Sequence, residues 1–229
     1  MEGSAVRTVG LTRVYRSQGQ EVHALRGIDL DVPPGSFVAL MGPSGSGKTT
    51  LINCIGGLDR PTEGEICLED QSLSELSEEE LTVLRRDRLG FVFQSFALLP
   101  TYSAYENVEL PLRMQGVPWR ERKSRVMRAL TAVGLRYWAD HRPYEMSGGQ
   151  QQRVGVARAL VTRPSIILAD EPTGELDSET ARQIFFLFQR IVEQERVTIV
   201  AVTHDLLAAD FATLSYELRD GCIVGEKTN

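Results

Sequence analysis

From Ile28 to Val32 apolar and acidic residues alternate, Ile28, Leu30 and Val32 against Asp29 and Asp31. A period of two predicts a half-exposed antiparallel strand. Ser36 to Met41 is nearly all apolar and stops at a glycine-rich loop, which predicts a strand buried on both faces. Ile166–Ala169 and Thr198–Val202 read the same way, and Asp220-Gly221 between Leu218 and Ile223 predicts a tight hairpin turn. Helical periods lie between these runs. Ser77 and Glu80 make a capping-box pair ahead of Leu81 and Leu84, and Pro118 opens a segment with Val126, Leu130 and Val133 that Gly134 closes. Asp177 precedes Ile184, Leu187, Phe188, Ile191 and Val192, spaced i, i+3, i+4, i+7 and i+8, which predicts an amphipathic helix packed on the sheet. Buried strands alternating with helices predict an α/β core. Pro100–Met146 has no buried-strand run and reads as a helical insertion.

Composition narrows the class. With 229 residues, 42% of them apolar, the chain can bury a substantial core without a disulfide or metal staple. Acidic residues outnumber basic ones 31 to 25 and no basic patch dominates, which argues against a nucleic-acid binder. Cys54, Cys67 and Cys222 are odd in number, lack CxxC spacing and have apolar neighbours, so they read as reduced cytosolic thiols. Met1–Gly10 lacks the layout of a secretion signal and the longest apolar runs fall far short of a bilayer span, which predicts that the chain does not itself cross a membrane.

Three motifs carry chemistry. Gly42-Pro43-Ser44-Gly45-Ser46-Gly47-Lys48-Thr49 matches GxxxxGK[ST], after a strand and before the apolar stretch Leu51–Ile55. Its glycines let successive N–H groups turn inward on phosphate oxygens, Lys48 supplies a charge for the β and γ phosphates, and the Thr49 hydroxyl is a ligand for Mg²⁺. Ile166–Ala169 ends in Asp170-Glu171; adjacent strand residues point to opposite sides, so Asp170 is placed to hold Mg²⁺ and Glu171 to deprotonate an attacking water. Ser147-Gly148-Gly149-Gln150 suits a capping box ahead of Val154, Ala157 and Leu160. Its glycines also leave room for a phosphate at the positive end of the helix, a second phosphate site.

Taken with Gln94 and with His204 in Thr203-His204-Asp205, these motifs resemble an ATP-binding cassette (ABC) ATPase over nearly the whole chain. The resemblance implies an α/β P-loop NTPase fold: a mostly parallel sheet, an antiparallel N-terminal β subdomain and a helical insertion. It implies one domain over 1–229, with 1–94 and 164–229 as catalytic core and 95–163 as the insertion carrying the signature. It assigns adenine stacking to Tyr15 and nucleotide contact to Gly42–Thr50, Thr50 included. Gln94 becomes a Mg²⁺ ligand joining core to insertion, and His204 a γ-phosphate contact. Ser147, Gly148, Gly149 and Gln150 become a signature touching ATP from a second chain, and Asp177 part of the D-loop, where Glu175 replaces the commoner Asn or Ala. Met146 replaces the usual Leu.

Gln94–Pro100, Glu106–Pro111 and Glu171–Gly174 resemble the subgroup serving macrolide and lipoprotein exporters and the cell-division transporter-like complex, with Ala97 in place of Asn. The resemblance implies ATP and Mg²⁺ as cofactors and a homodimer, or a pair with a similar ATPase. It further implies an integral membrane permease as partner, no nucleic acid, and a peripheral place on the cytoplasmic side of the membrane. Phe96, Leu98, Leu99 and Tyr102 either line a groove for that partner's helix or pack within the insertion. Trp119–Arg128, with five bases and one acid, reads as a solvated helix face, with contact to anionic lipid as the alternative. Two other readings remain: a soluble ABC ATPase without a membrane partner, and a P-loop small-molecule kinase.

Overall fold

The computed structural model describes residues 3–17 and 20–229; Met1 and Glu2, part of the stretch read for a leader, lie outside it. The chain opens with β1 (Val6–Ser17) and β2 (Gln20–Val32), paired antiparallel, then β3 (Phe37–Met41), α1 (Lys48–Ile55), β4 (Glu63–Leu68) and β5 (Gln71–Ser72). Next come α2 (Glu78–Arg88), β6 (Leu89–Phe93), α3 (Ala104–Met114), α4 (Trp119–Ala132) and α5 (Gly148–Leu160). The chain closes with β7 (Ile166–Asp170), α6 (Ser178–Glu195), β8 (Thr198–Thr203), α7 (Ala208–Phe211), β9 (Leu214–Arg219) and β10 (Cys222–Thr228). One sheet has the order β2-β1-β4-β5 and is antiparallel; the other has the order β10-β9-β3-β8-β7-β6. In the second, β9, β3, β8, β7 and β6 run parallel and only β10 is reversed, through a turn with Asp220 and Gly221 both at positive φ.

The apolar strands read as buried on both faces do feed two cores. On β3, Phe37 and Ala39 point to one side and Val38 and Leu40 to the other. The first side packs on α5, α6 and the insertion through Val154, Ala157, Ile184, Phe185 and Phe188. The second packs on α1, α2 and the antiparallel sheet through Leu51, Ile55, Leu81, Leu25 and Ile66. The helix predicted after Asp177 is α6, with Asp177 as its cap and all five predicted apolar positions buried. Residues 100–146 are helices and turns, as expected.

Within that insertion the basic stretch is largely paired. Arg122 reaches the buried Glu109 on α3, Arg125 pairs with Glu121 and Arg128 with Glu195, which accords with a solvated helix face tied to its neighbours. Leu98 packs on the core under the insertion, whereas Leu99 is exposed. All three cysteines are free thiols, and burial pushes that of Cys54 up to about 12. Among the described residues no helix is long and apolar enough to cross a membrane.

Phe188 is fully buried with its ring 5.7 Å from that of Phe37, edge to face, so it joins α6 to the sheet. Phe188→Ala should destabilise the chain by about 3–5 kcal/mol. A denaturant titration should show this as a lower midpoint at unchanged slope.

Candidate active site

Parallel strands deliver their C-terminal ends to one edge of the sheet, where ligands gather in α/β folds. The loop after β3 is held there by close approaches that only glycine permits. A Cβ on Gly42 would stand 2.1 Å from the Leu218 carbonyl oxygen, and one on Gly47 2.4 Å from that of Ala24, with Gly47 also at φ 102°. Helices α2, α3, α5 and α6 start on side-chain caps from Ser77, Ser103, Ser147 and Asp177. Helix α1 starts on Gly47 with none, so its first N–H groups and dipole address whatever lies in the loop. Lys48 is buried to 5% exposure, and its Nζ donates to the carbonyls of Gly42 at 2.9 Å and Pro43 at 3.0 Å.

The other chemistry converges on this loop. Thr49 Oγ1 donates to Asp170 Oδ1 at 3.2 Å. Glu171 Oε1 lies 3.6 Å from Lys48 Nζ, and Oε2 accepts from the His204 main-chain N–H at 3.2 Å and lies 2.9 Å from His204 Nδ1. With an ionised Glu171 the ring must donate from Nδ1, leaving Nε2 as acceptor in the neutral imidazole. Burial raises the Asp170 pKa, and the neighbouring Glu171 charge adds to the rise; the Thr49 hydrogen bond and Lys48 oppose it. The buried Ser46 hydroxyl has no partner within the protein, and Thr49 and Asp170 offer hard oxygen donors at one point. That donor chemistry fits a phosphate group together with Mg²⁺, a hard cation that takes oxygen ligands.

Gln94 follows Phe93, which is paired with Asp170, and its amide lies against Gly174, where a Cβ would stand 3.0 Å from Nε2. Ser147 and Gln150 form the predicted capping box. An accepting hydroxyl keeps its own O–H to donate, and Ser147 is exposed. Gly149 also packs closely: a Cβ there would stand 2.5 Å from Thr180 Cγ2, in the first turn of α6, and Thr180 would have to move. Phe96 lies against Gly148. Asp177 accepts from the Thr180 hydroxyl and from the N–H groups of Thr180 and Glu179, which holds its carboxyl below the usual range. The structure therefore makes two clusters. One joins the loop after β3 to Asp170, Glu171 and His204, and the other joins Ser147–Gly149 to Leu176, Thr180 and Phe96.

Tyr15 is 38% exposed, with its hydroxyl donating to Asp59 at 2.6 Å. Arg13 stacks its guanidinium 4.5 Å from the ring centroid and binds Asp59 through two hydrogen bonds. Neither Arg13 nor Asp59 is identifiable from the sequence, because the pair is 46 residues apart and neither belongs to a local pattern. Asn107 is a further anchor that sequence reasoning missed: its buried amide donates to the carbonyls of Leu99, Tyr102 and Ser103 and fixes the loop after Gln94. Its only cue is its place one residue after the Glu106 of a capping box.

A phosphate loop, a strand-end acidic pair, a histidine on the second carboxylate and a glycine-rich helix start make up this arrangement. The ABC transporter family profile matches residues 25–174. The chain belongs to the ABC transporter family. It is 44% identical over 226 residues to the ABC transporter ATP-binding protein MJ0796 of Methanocaldococcus jannaschii, covering 97% of this chain and 96% of that one. The solved dimer of that cassette in a post-hydrolysis state bound to ADP and Pi superposes with a TM-score of 0.88 at 43% identity, covering 97% of this chain and 98% of that chain. The lipoprotein-releasing system ATP-binding protein LolD 2 of Caulobacter vibrioides is 44% identical, with 93% of each chain covered. The macrolide export ATP-binding/permease protein MacB of Syntrophobacter fumaroxidans is 48% identical over 94% of this chain, which spans 30% of that longer protein. This ABC subunit is an ATPase that uses ATP with Mg²⁺ and powers a membrane transport system.

The raised pKa of Asp170 makes a prediction about stability. Between the ordinary carboxylate pKa and the raised folded value the native state binds more protons than the unfolded one, so this group's contribution falls as pH rises through that window. Asp170→Asn, measured with chelator and no nucleotide, should therefore melt at a higher temperature than the parent at neutral pH. The advantage should vanish in acid below the ordinary carboxylate range, and Mg²⁺-dependent hydrolysis should be lost at every pH.

Proposed function

We propose that two copies of this chain, or this chain and a similar ATPase, close around two ATP molecules and reopen after hydrolysis. Each site would join the phosphate loop of one chain to Ser147–Gln150 of the other. The observation that carries this reading is the gathering, at the ends of the parallel strands, of a Thr49–Asp170 hydrogen bond and of Glu171 between Lys48 and His204. The exposed Ser147 cap and the half-buried glycines that start α5 support the shared site.

In this mechanism the N–H groups of Gly42 and Ser44–Gly47 cradle the phosphates and Lys48 places its charge on them, with Pro43 shaping the turn and Thr50 flanking. Thr49, Gln94 and Asp170 would hold Mg²⁺, which when bound would neutralise charge on the phosphates. Glu171 takes the proton of the attacking water while His204 holds its Oε2 in place. Tyr15 offers the adenine one ring face, the other being covered by Arg13. The chain acts as one unit, with 1–94 and 164–229 as the catalytic part and 95–163 as the insertion.

We place the membrane permease in a cavity of about 450 Å³ between α2, β6, α3 and α5. Leu89, Phe91, Phe93 and Met114 make it apolar, and Arg85 and Arg158 border it. An amphipathic cytoplasmic helix of the permease fits such a groove and would hold the subunit at the cytoplasmic face of the membrane. The cargo of this reading is a lipoprotein, peptide or macrolide-like molecule, and the relatives named for lipoprotein release and macrolide export support the first and last of these.

Glu171→Gln keeps the side chain's shape and removes the base. Phosphate release should slow by about 10²- to 10⁴-fold, roughly 3–5 kcal/mol of barrier, while the chain elutes as a dimer only with ATP. An unchanged rate would remove Glu171 from its role.

The shared site has its own test. Lys48→Ala and Ser147→Arg chains should each fail alone, since each homodimer has two damaged sites. Mixed, they form one site from an intact phosphate loop and an intact signature, so ATP-dependent association should return. No rescue in pairs shown to have exchanged subunits would count against the shared site.

A further inference from the structure

Gln152 lies on α5 just past the Ser147 cap and is fully buried. Its amide nitrogen donates to two main-chain carbonyls, that of Pro172 at 2.6 Å and that of Phe93 at 3.3 Å. A primary amide has two N–H donors, so both are in use. The Oε1 of the same side chain is buried without a partner. An apolar side chain of equal length would avoid that unpaired acceptor, so what the amide contributes here is its donors.

The two carbonyls belong to segments with different tasks. Phe93 is the last residue of β6, pairs with Asp170 at the end of β7 and precedes Gln94. Pro172 is one residue beyond Glu171. The ladder between β6 and β7 stops at the Phe93–Asp170 pair, and Gln152 ties the two chains together just past it. Glu171 sits at φ +46°, a conformation that a non-glycine residue keeps only when its surroundings hold it. Its N–H donates to Val202 at 2.9 Å and its carbonyl accepts from Gly174 at 3.1 Å; the next carbonyl along is the one held by Gln152. Six residues further on the same helix, Arg158 donates to the carbonyls of Phe96 and Ala97, both at positive φ. Phe93, Ala97 and Arg158 all line the apolar groove.

We propose that Gln152 is a positioning residue for hydrolysis, locking the end of β6 to the loop that carries Glu171. A displacement of Phe93 at the groove then reaches the carboxylate through one side chain. The proposal rests on Glu171 acting as the base.

Gln152→Met and Gln152→Glu keep the length of the side chain and lose its amide donors. In single turnover by the full chain, with phosphate release counted per bound ATP so that unfolded protein does not enter, each should be slower than the parent by about tenfold or more. Affinity for ATP should stay within about twofold, because no nucleotide contact changes. In a Glu171→Gln background, adding Gln152→Met should alter the residual rate by less than about twofold, since the carboxylate it positions is gone. A rate per bound ATP within about twofold of the parent for both variants would make Gln152 a packing residue and overturn the proposal. So would a tenfold loss that persists in the Glu171→Gln background, because the effect would then bypass the carboxylate. A parent-like rate for Glu171→Gln alone would instead overturn the reading of the base, and the proposal with it.

Discussion

Four parallel strands, β3, β8, β7 and β6, end at one level of the sheet, and the candidate active-site groups hang from those ends. The register makes this concrete: Met41 pairs with Thr203, Asp170 with Val202 and Phe93 with Asp170. One residue beyond these pairs stand Gly42, His204, Glu171 and Gln94. Main-chain ladders are stiff and their spacing is set by hydrogen bonding, so side chains from distant parts of the sequence meet with little freedom left to them. The double burial of these strands keeps the ladder from slipping. A shift of one residue would exchange the faces of Phe37 and Val38 and disrupt two cores at once.

Charge at the site is arranged around that edge. Lys48 is buried among carbonyls and faces Glu171, whose other oxygen is held by His204, while Asp170 is disfavoured as an anion by its burial. Such a site favours a ligand that brings both phosphate for the lysine and a cation for the aspartate, and Mg²⁺–ATP brings both. The second cluster serves a different purpose. Helix α5 begins at a self-capped serine, packs Gly149 on α6, and continues under the loop after β6, where Gln152 and Arg158 hold main-chain carbonyls. One helix thus touches the signature, the edge of the groove and the loop after Glu171.

Whatever depends on neighbours a few residues apart is legible in the amino-acid chain. The phosphate loop, the Ser77 and Ser147 capping boxes, the amphipathic stripe of α6 and the Asp220-Gly221 turn each follow from local sterics and periodicity, and the structure places them as expected. The resemblance to ABC ATPases rests on the same local signals in a fixed order. Strand order, the Arg13–Asp59 brace behind Tyr15, the clamp by Asn107 and the amide of Gln152 are not readable in this way. Those contacts are long-range or made with main-chain carbonyls, and a carbonyl has the same chemistry in every residue and leaves no mark in the sequence. By itself the sequence determined which groups are available and how each segment bends. Only tertiary packing decided which of them meet, because hydrogen bonds across tens of residues form only once burial of the two cores has brought those segments together.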